Sequence, residues 1–357
     1  MQFTFHPNVY NTNPRSKGLL DLLEQVWIKD RKAGVGVNFI ISGFSNYNGG
    51  VRFYEIFKEH IDKGGKCIVI LGGSTSQRLS SIQVVEQLLE IGCEVHLINR
   101  KRLLHAKCYG FISDVDQGVV ISSGNFTGPG MSQNIEASLL LRGKHVDELN
   151  FSWEELRKSI FSQSWDIYSP TLAKRLDPAW SLLYDESRFK VPFENEQEVT
   201  MLLTLVHSDT ARIQANRKTK ESRGSQYFWV SKESFDFFPA LTIKNKRGIK
   251  PTYSTIIRMN YVDLGVIDNK CRVTFEAGNN LDFRLGTGKL RYSKLAKPGD
   301  LAAITRISEY EYELRVFTKA SDTYNKLNHY AINLIGNEGK KYGYIPNDEF
   351  FKALAKN

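Results

Sequence analysis

Cysteine is scarce: the 357 residues contain four, Cys67, Cys93, Cys108 and Cys271. None stands in a Cys-x-x-Cys or other ligand spacing. That excludes a cysteine-built zinc site and a disulfide framework, and makes buried free thiols in a reducing compartment the expectation. No apolar run approaches the ~20 residues of a membrane helix. The opening Met1-Gln2-Phe3-Thr4-Phe5-His6 lacks a basic stretch followed by an apolar core, so no signal peptide is expected. The histidines His6, His60, His96, His145, His207 and His329 lack any paired spacing with cysteine or carboxylates, so no metal or other cofactor is expected. Acids are outnumbered, 39 against 48 lysines and arginines, and the net charge of +9 leans weakly toward a polyanionic partner. The hydrophobic share of 41% and charged share of 24% are those of a soluble globular protein.

The pattern along the chain divides in two. Up to about residue 175, strand-like and helix-like segments alternate. Strands are expected at Val37–Ser42, Cys67–Leu71, Glu94–Ile98, Ala106–Phe111, Val119–Ser123 and Ile135–Leu141, with helices at Arg52–Lys63, Ser80–Ile91 and Trp153–Phe161. The expected fold is α/β, built on a mixed β-sheet. Residues 176–199 carry Pro178, Pro192 and six acids, among them Asp185 and Glu186, and read as an acidic interdomain linker. Two roles stay open for it, a solvated connector or a mimic of DNA near a basic cleft. Residues 200–357 turn mostly β, with short strands such as Met201–Val206, Gln226–Val230, Leu241–Lys244, Ser254–Met259, Arg272–Phe275 and Tyr312–Phe317. Many short antiparallel strands suggest a small barrel.

The chemistry concentrates between residues 105 and 136. His105 and Lys107, two apart on a strand, share a face. Asn125 closes the following strand in Ser122-Ser123-Gly124-Asn125, and Glu136 opens the next. An imidazole, an ammonium and a carboxamide at one sheet edge suit a phosphodiester: the ring attacks phosphorus while the others hold its oxygens. Glu136 can accept the second ring proton of His105 and fix its tautomer. Ser123 is either a helper at this site or a strand-end hydroxyl that satisfies backbone.

His105-x-Lys107…Ser123-Gly124-Asn125 resembles the HxK…GSxN motif of the phospholipase D superfamily. Ser122 replaces the usual glycine before the serine, and Ile112 replaces an aspartate the family often carries. The motif occurs once where the superfamily site uses two copies, which implies a homodimer with one site across a twofold axis. The segments Ser42–Gly50, Arg102–Lys107 and Ser122–Asn134 look like those of the BfiI group of metal-independent restriction endonucleases. The likeness continues through Gln226-Tyr227-Phe228-Trp229 and Phe283–Tyr292. It implies a phospholipase D-like catalytic and dimerisation domain over 1–175 and a B3-like DNA-recognition pseudobarrel over 200–357. It also implies double-stranded DNA as substrate, a covalent phosphohistidine, sequential cutting of the two strands outside a short asymmetric site, and no divalent metal. A bacterial cytoplasmic setting and a cognate DNA methyltransferase in the same system follow from it.

The densest basic run, with Arg212, Gln214, Asn216, Arg217, Lys218, Lys220 and Arg223, is on composition alone a solvated loop. By resemblance it is the N-terminal arm with which B3-like domains enter the major groove. The opposing arm is then the hairpin from Lys270 to Arg284, with Arg272, Asn279, Asn280, Asp282 and Arg284 as readers. Gly72-Gly73-Ser74-Thr75-Ser76 is either a plain strand–helix turn or a phosphate cradle. Two rival functions remain: a lipid phosphodiesterase of the phospholipase D superfamily, and a DNA-binding regulator without catalysis.

Overall fold

The computed structural model describes residues 1–7, 18–100, 103–132, 134–162, 166–186, 199–231, 234, 237–247, 250–276, 282–335 and 339–355. These form two compact units that meet the chain's change of pattern, residues 1–186 and 199–355.

The first unit is built on strands β1 (Gln2–Pro7), β2 (Val37–Ser42), β3 (Lys66–Gly72), β4 (Glu94–Ile98), β5 (Lys107–Ile112), β6 (Gln117–Ser122), β7 (Ile135–Arg142) and β8 (Ile167–Tyr168). They form one mixed sheet in the order β1-β7-β6-β5-β2-β3-β4-β8. β2, β3 and β4 are parallel. Their continuous apolar runs, Phe39-Ile40-Ile41 and Ile68-Val69-Ile70-Leu71, are buried throughout, as strands covered on both faces must be. β5, β6, β7 and β1 extend the sheet as antiparallel neighbours. The covering helices are α1 (Leu19–Glu24), α2 (Tyr47–Gly50), α3 (Tyr54–Asp62), α4 (Ile82–Glu90), α5 (Gly128–Ser132), α6 (Lys144–Glu148) and α7 (Trp153–Phe161).

Alternation along the strands supplies both layers. On one face Trp27 meets Phe53 and Phe57 edge-on, each at 4.9 Å between ring centroids. On the other, Trp153 stacks on Phe39 at 4.6 Å, over Ile41, Ile68, Ile70 and Val119. α4 starts where Ser81 Oγ accepts the Val84 N–H at 3.2 Å, and the chain leaves it at Gly92 with φ +93°.

The second unit comprises β9 (Val199–Thr204), β10 (Tyr227–Trp229), β11 (Ile243–Arg247), β12 (Lys250–Tyr261), β13 (Val266–Glu276), β14 (Asp282–Gly286), β15 (Leu301–Arg306), β16 (Glu311–Phe317), β17 (Asn333–Ile335) and β18 (Lys340–Pro346), with α8 (His207–Gln214), α9 (Asp322–Leu327) and α10 (Asn347–Ala355). The sheet runs β10-β14-β13-β12-β16-β15-β9-β18-β17, with β11 alongside β12, and curls into a half-barrel. The expected α/β core and mostly-β second domain are both present.

Four local expectations are corrected. The β12–β16 pairing is parallel, not antiparallel. β12 and β13 run 12 and 11 residues, well past Ser254–Met259 and Arg272–Phe275. Most of the residues from Val266 to Lys270 are exposed, so alternation gave no cue there. Gly72–Ser76, read as leading into a helix, stops short of one, because α4 begins only at Ile82, after its own cap Ser81. The start of the segment read as a linker packs on the first unit. Trp180, Leu182 and Leu183 are buried, Tyr184 bridges to Ser81, and Glu186 Oε1 accepts the Tyr47 N–H at 2.8 Å. Residues 187–198 lie outside the described residues.

Candidate active site and nucleic-acid interface

The ends of β2, β3 and β6 and the starts of β5 and β7 come together at one edge of the first sheet, because antiparallel neighbours put the end of one strand beside the start of the next. Close backbone approach tightens this edge. A Cβ at Gly43 would sit 2.4 Å from Leu104 O, and one at Gly72 would sit 2.3 Å from Gly43 O, so both positions require glycine. Ser42 Oγ accepts the Phe126 N–H at 2.9 Å and donates to Phe44 O at 2.6 Å, stitching the loops after β2 and β6 together.

His105 lies just before β5 and is exposed, while Lys107, the first residue of β5, is buried. The side chains still meet. Lys107 Nζ is 3.0 Å from His105 Nε2 and 3.2 Å from Nδ1, and it donates to His105 O at 3.0 Å. Burial lowers the Lys107 pKa from the ordinary lysine value, and the charge of Glu136 partly offsets this. The Asn125 carboxamide is oriented by its surroundings. Its Oδ1 accepts the Phe44 N–H at 3.2 Å, and its Nδ2 has no partner among the described residues, which leaves a donor at the edge.

Glu136 departs from its expected role. Its Oε2 accepts the Ser123 hydroxyl and its Oε1 accepts Asn134 Nδ2 at 3.2 Å, rather than a proton from the His105 ring. The two open readings of Ser123 merge: Oγ accepts the Ala137 N–H at 3.0 Å and also donates to Glu136. Glu136 therefore acts here as a buried negative charge near Lys107, held in place by Ser123. Among the described residues no group of three or more His, Cys, Asp or Glu side chains is placed to hold a metal ion.

In the second unit the basic run starts within α8 and continues through an exposed turn. Arg217, Lys218, Lys220 and Arg223 are exposed there, with Lys218 at φ +68°. Gln214 and Asn216, expected to read bases, are occupied. Gln214 Nε2 donates to the carbonyls of Lys294 and Ala296 at 3.1 and 2.7 Å, and Asn216 Oδ1 accepts Lys294 Nζ at 2.9 Å. Gln214 thus fastens the arm, while Asn216 is held at Oδ1 and stays exposed. Arg212 donates to Arg223 O and lies 5.8 Å from the Tyr227 ring centroid.

On the opposing hairpin Arg272 is exposed, with Nη1 on Ser254 Oγ at 3.2 Å. Arg284 pairs with Glu276 at 3.2 Å and lies over the rings of Tyr227 and Trp229 at 5.2 and 5.6 Å. Asn279, Asn280 and the Asp282 side chain lie outside the described residues.

The root of the first arm is a buried ion pair. Lys340 Nζ is 2.7 Å from both Asp209 oxygens and 2.6 Å from Trp229 O. Asp209 also accepts the N–H groups of Val206 at 2.9 Å and Trp229 at 3.0 Å. One carboxylate in the first turn of α8 thus joins the arm, β10 and β18.

Residues 193–356 match the family model of the metal-independent restriction enzyme BfiI DNA-binding domain. The match spans the second unit. A comparison with curated protein sequences gives no match. Among solved structures, Nuc from Salmonella typhimurium, a phospholipase D family member, is similar over 48% of this chain and 97% of its own, at 13% identity and a TM-score of 0.34. The N-terminal domain of Helicobacter pylori LlaJI.R1 is similar over 41% of this chain and 97% of its own, at 20% identity and a TM-score of 0.26. Polyphosphate kinase from Porphyromonas gingivalis is similar over 43% of this chain and 22% of its own, at 12% identity and a TM-score of 0.29.

The BfiI-type domain carries a basic element that sequence reading passed over. The β11–β12 hairpin has Lys244, Lys246, Arg247 and Lys250 near its turn. The register Thr252↔Glu276↔Asp282 sets the start of β12 beside the end of β13 and the start of β14. The charges were visible in Lys244-Asn245-Lys246-Arg247; ending the strand at Lys244 hid that they form a hairpin. Tyr227 and Trp229, spaced by two on β10, share a face and bring both rings under Arg284.

Proposed function

We propose that the chain is a sequence-specific restriction endonuclease that cleaves double-stranded DNA through a phosphohistidine on His105. One observation carries the reading: the His105 ring and the Lys107 ammonium are in contact, and Asn125 lies at the same sheet edge, in a chain whose other unit matches the BfiI DNA-binding domain model. A phosphoryl oxygen drawn to Lys107 competes for its contact with the ring and frees a ring nitrogen. That nitrogen's lone pair attacks phosphorus, and the bond to the departing 3′ oxygen breaks. A second, protonated imidazole gives its proton to that oxygen. It then takes a proton from water as the water attacks phosphorus and the P–N bond breaks, restoring both rings. Lys107 and Asn125 hold the charge that grows on the phosphoryl oxygens. No step calls for a divalent metal.

The second imidazole is the His105 of a second copy of the chain, since the motif occurs once. An apolar face beside the site supports this. Phe3, Phe5, Ile121 and Ile135 are 66%, 55%, 45% and 60% exposed. Pairings Phe3↔Leu139↔Ile121 and Phe5↔Ala137 put the first three on one face of β1, β7 and β6, next to Ser123. Such a patch is costly to leave in water and suits a self-complementary contact. Replacing Phe3 and Phe5 together by Glu is expected to convert a dimer to monomers in analytical ultracentrifugation and to abolish cleavage. An active monomer would refute the shared site.

With one site for two strands, the dimer cuts them in sequence. Because recognition lies in a separate unit, the cuts fall outside a short asymmetric sequence, as in type IIS enzymes, and a cognate methyltransferase protects the host DNA. The test is digestion of phage DNA in excess EDTA. Discrete fragments are expected; fragments only after magnesium is added would overturn the metal-free route. A phosphatidylcholine assay run beside it tests the lipid alternative.

A further inference from the structure

A cavity of about 290 Å³ opens at the same end of the first sheet, past the ends of β3 and β4. Its walls are the loop Gly73–Gln77 after β3, Asn99 and Arg100 after β4, and Leu103. Leu103 precedes His105 by two residues, a chain distance of at most about 7 Å. The polar lining is uniform in kind: the hydroxyls of Ser74, Thr75 and Ser76, the amides of Gln77 and Asn99, and one guanidinium, with no carboxylate among the lining residues.

The walls are set without a ligand. Ser74 Oγ accepts the N–H groups of Ser76 and Gln77 at 3.2 and 3.1 Å. Ser74 N–H donates to Leu182 O at 3.0 Å, and Ser80 Oγ donates to Gly72 O at 2.7 Å. Arg100 spends Nε and Nη2 on the buried Asp166 and on Ile160 O, which leaves Nη1 without a partner among the described residues. Hydroxyl and amide groups around one guanidinium edge suit a ligand rich in oxygen that carries a single anionic group. They repel a hydrocarbon chain, whose burial would strip water from these groups without replacing its hydrogen bonds.

We infer that this cavity is a subsite for the strand being cut, taking the sugar–phosphate of a nucleotide one or two positions from the scissile phosphate. The inference rests on the nuclease reading above. Its position fixes its use: a nucleotide held there sets the approach of the strand, so that phosphorus presents the face opposite its leaving oxygen to His105.

The test uses the full-length protein and duplexes whose cut positions have been mapped. A single uncharged methylphosphonate linkage is moved one position at a time through the cut strand. Losing a charge-assisted hydrogen bond at the subsite slows cleavage about tenfold or more at one position, one or two nucleotides from the cut. Ser76→Trp, which fills the cavity from an exposed loop position, is expected to flatten that positional loss to about twofold or less. A wild-type profile even across those positions overturns the subsite, as does a Ser76→Trp profile identical to the wild type. Wild-type protein that leaves unmodified duplex uncut overturns the nuclease reading instead.

Discussion

His105→Ala lowers DNA cleavage by about 10⁴-fold or more while specific DNA binding persists. The size follows from the role. A nucleophile that forms the covalent intermediate has no understudy, and single losses of this kind cost about as much as loss of the whole catalytic group. Neighbouring Lys107 and Asn125 keep their contacts to backbone and to Phe44 N–H, so the phosphate is still bound but meets no attacking atom. Binding survives because the proposal assigns it to the second unit, which matches the BfiI DNA-binding domain model. Plasmid cleavage and gel shifts on the same preparations provide the two measurements. Acid-labile phosphate on the wild-type histidine, trapped at short times, adds a direct mark of the intermediate. A His105→Ala protein that cuts within about tenfold of the wild type would end the phosphohistidine proposal.

Lys340→Ala unfolds the second unit at much lower temperature, by about 3–5 kcal/mol of lost stability. Lys340 and Asp209 are 3% and 0% exposed, so removing the ammonium strands a carboxylate in the core. The two N–H donors that remain on Asp209 do not replace a full positive charge. For a unit of this size the loss corresponds to roughly 10 °C or more in Tm. Calorimetry or urea unfolding reads it. Pairing Lys340→Met with Asp209→Leu recovers much of the loss, because the uncompensated charge is gone. A Lys340→Ala protein within about 1 kcal/mol of wild type would show that water reaches Asp209 and that the pair does not hold the arm.

The sequence carried the first unit's parallel strands well, because Phe39–Ile41 and Ile68–Leu71 are apolar on both faces and need only length to be read. It carried the three groups at the sheet edge through motif spacing. It did not carry Glu136's attachments, since a carboxylate's choice between Ser123 and a ring nitrogen depends on distances that strand register alone does not fix. Gln214 and Asn216 illustrate the same limit in the second unit. Their amides suit adenine edges, yet Gln214 Nε2 is held by the carbonyls of Lys294 and Ala296, some 80 positions onward, and Asn216 Oδ1 takes the Lys294 ammonium. The final strands and α10 went unread because the short runs from Asn333 to Pro346 gain their order from β9, more than a hundred residues earlier.

That last pairing has a bearing on how the protein is made. Lys340 closes on Asp209 across 131 residues. During synthesis, which proceeds at roughly 5–20 residues per second with N-terminal units folding first, the first unit can therefore fold well before Lys340 emerges to close the second. A nascent chain in that interval carries a closed first sheet and a second one still missing the strand that joins β9 to β17.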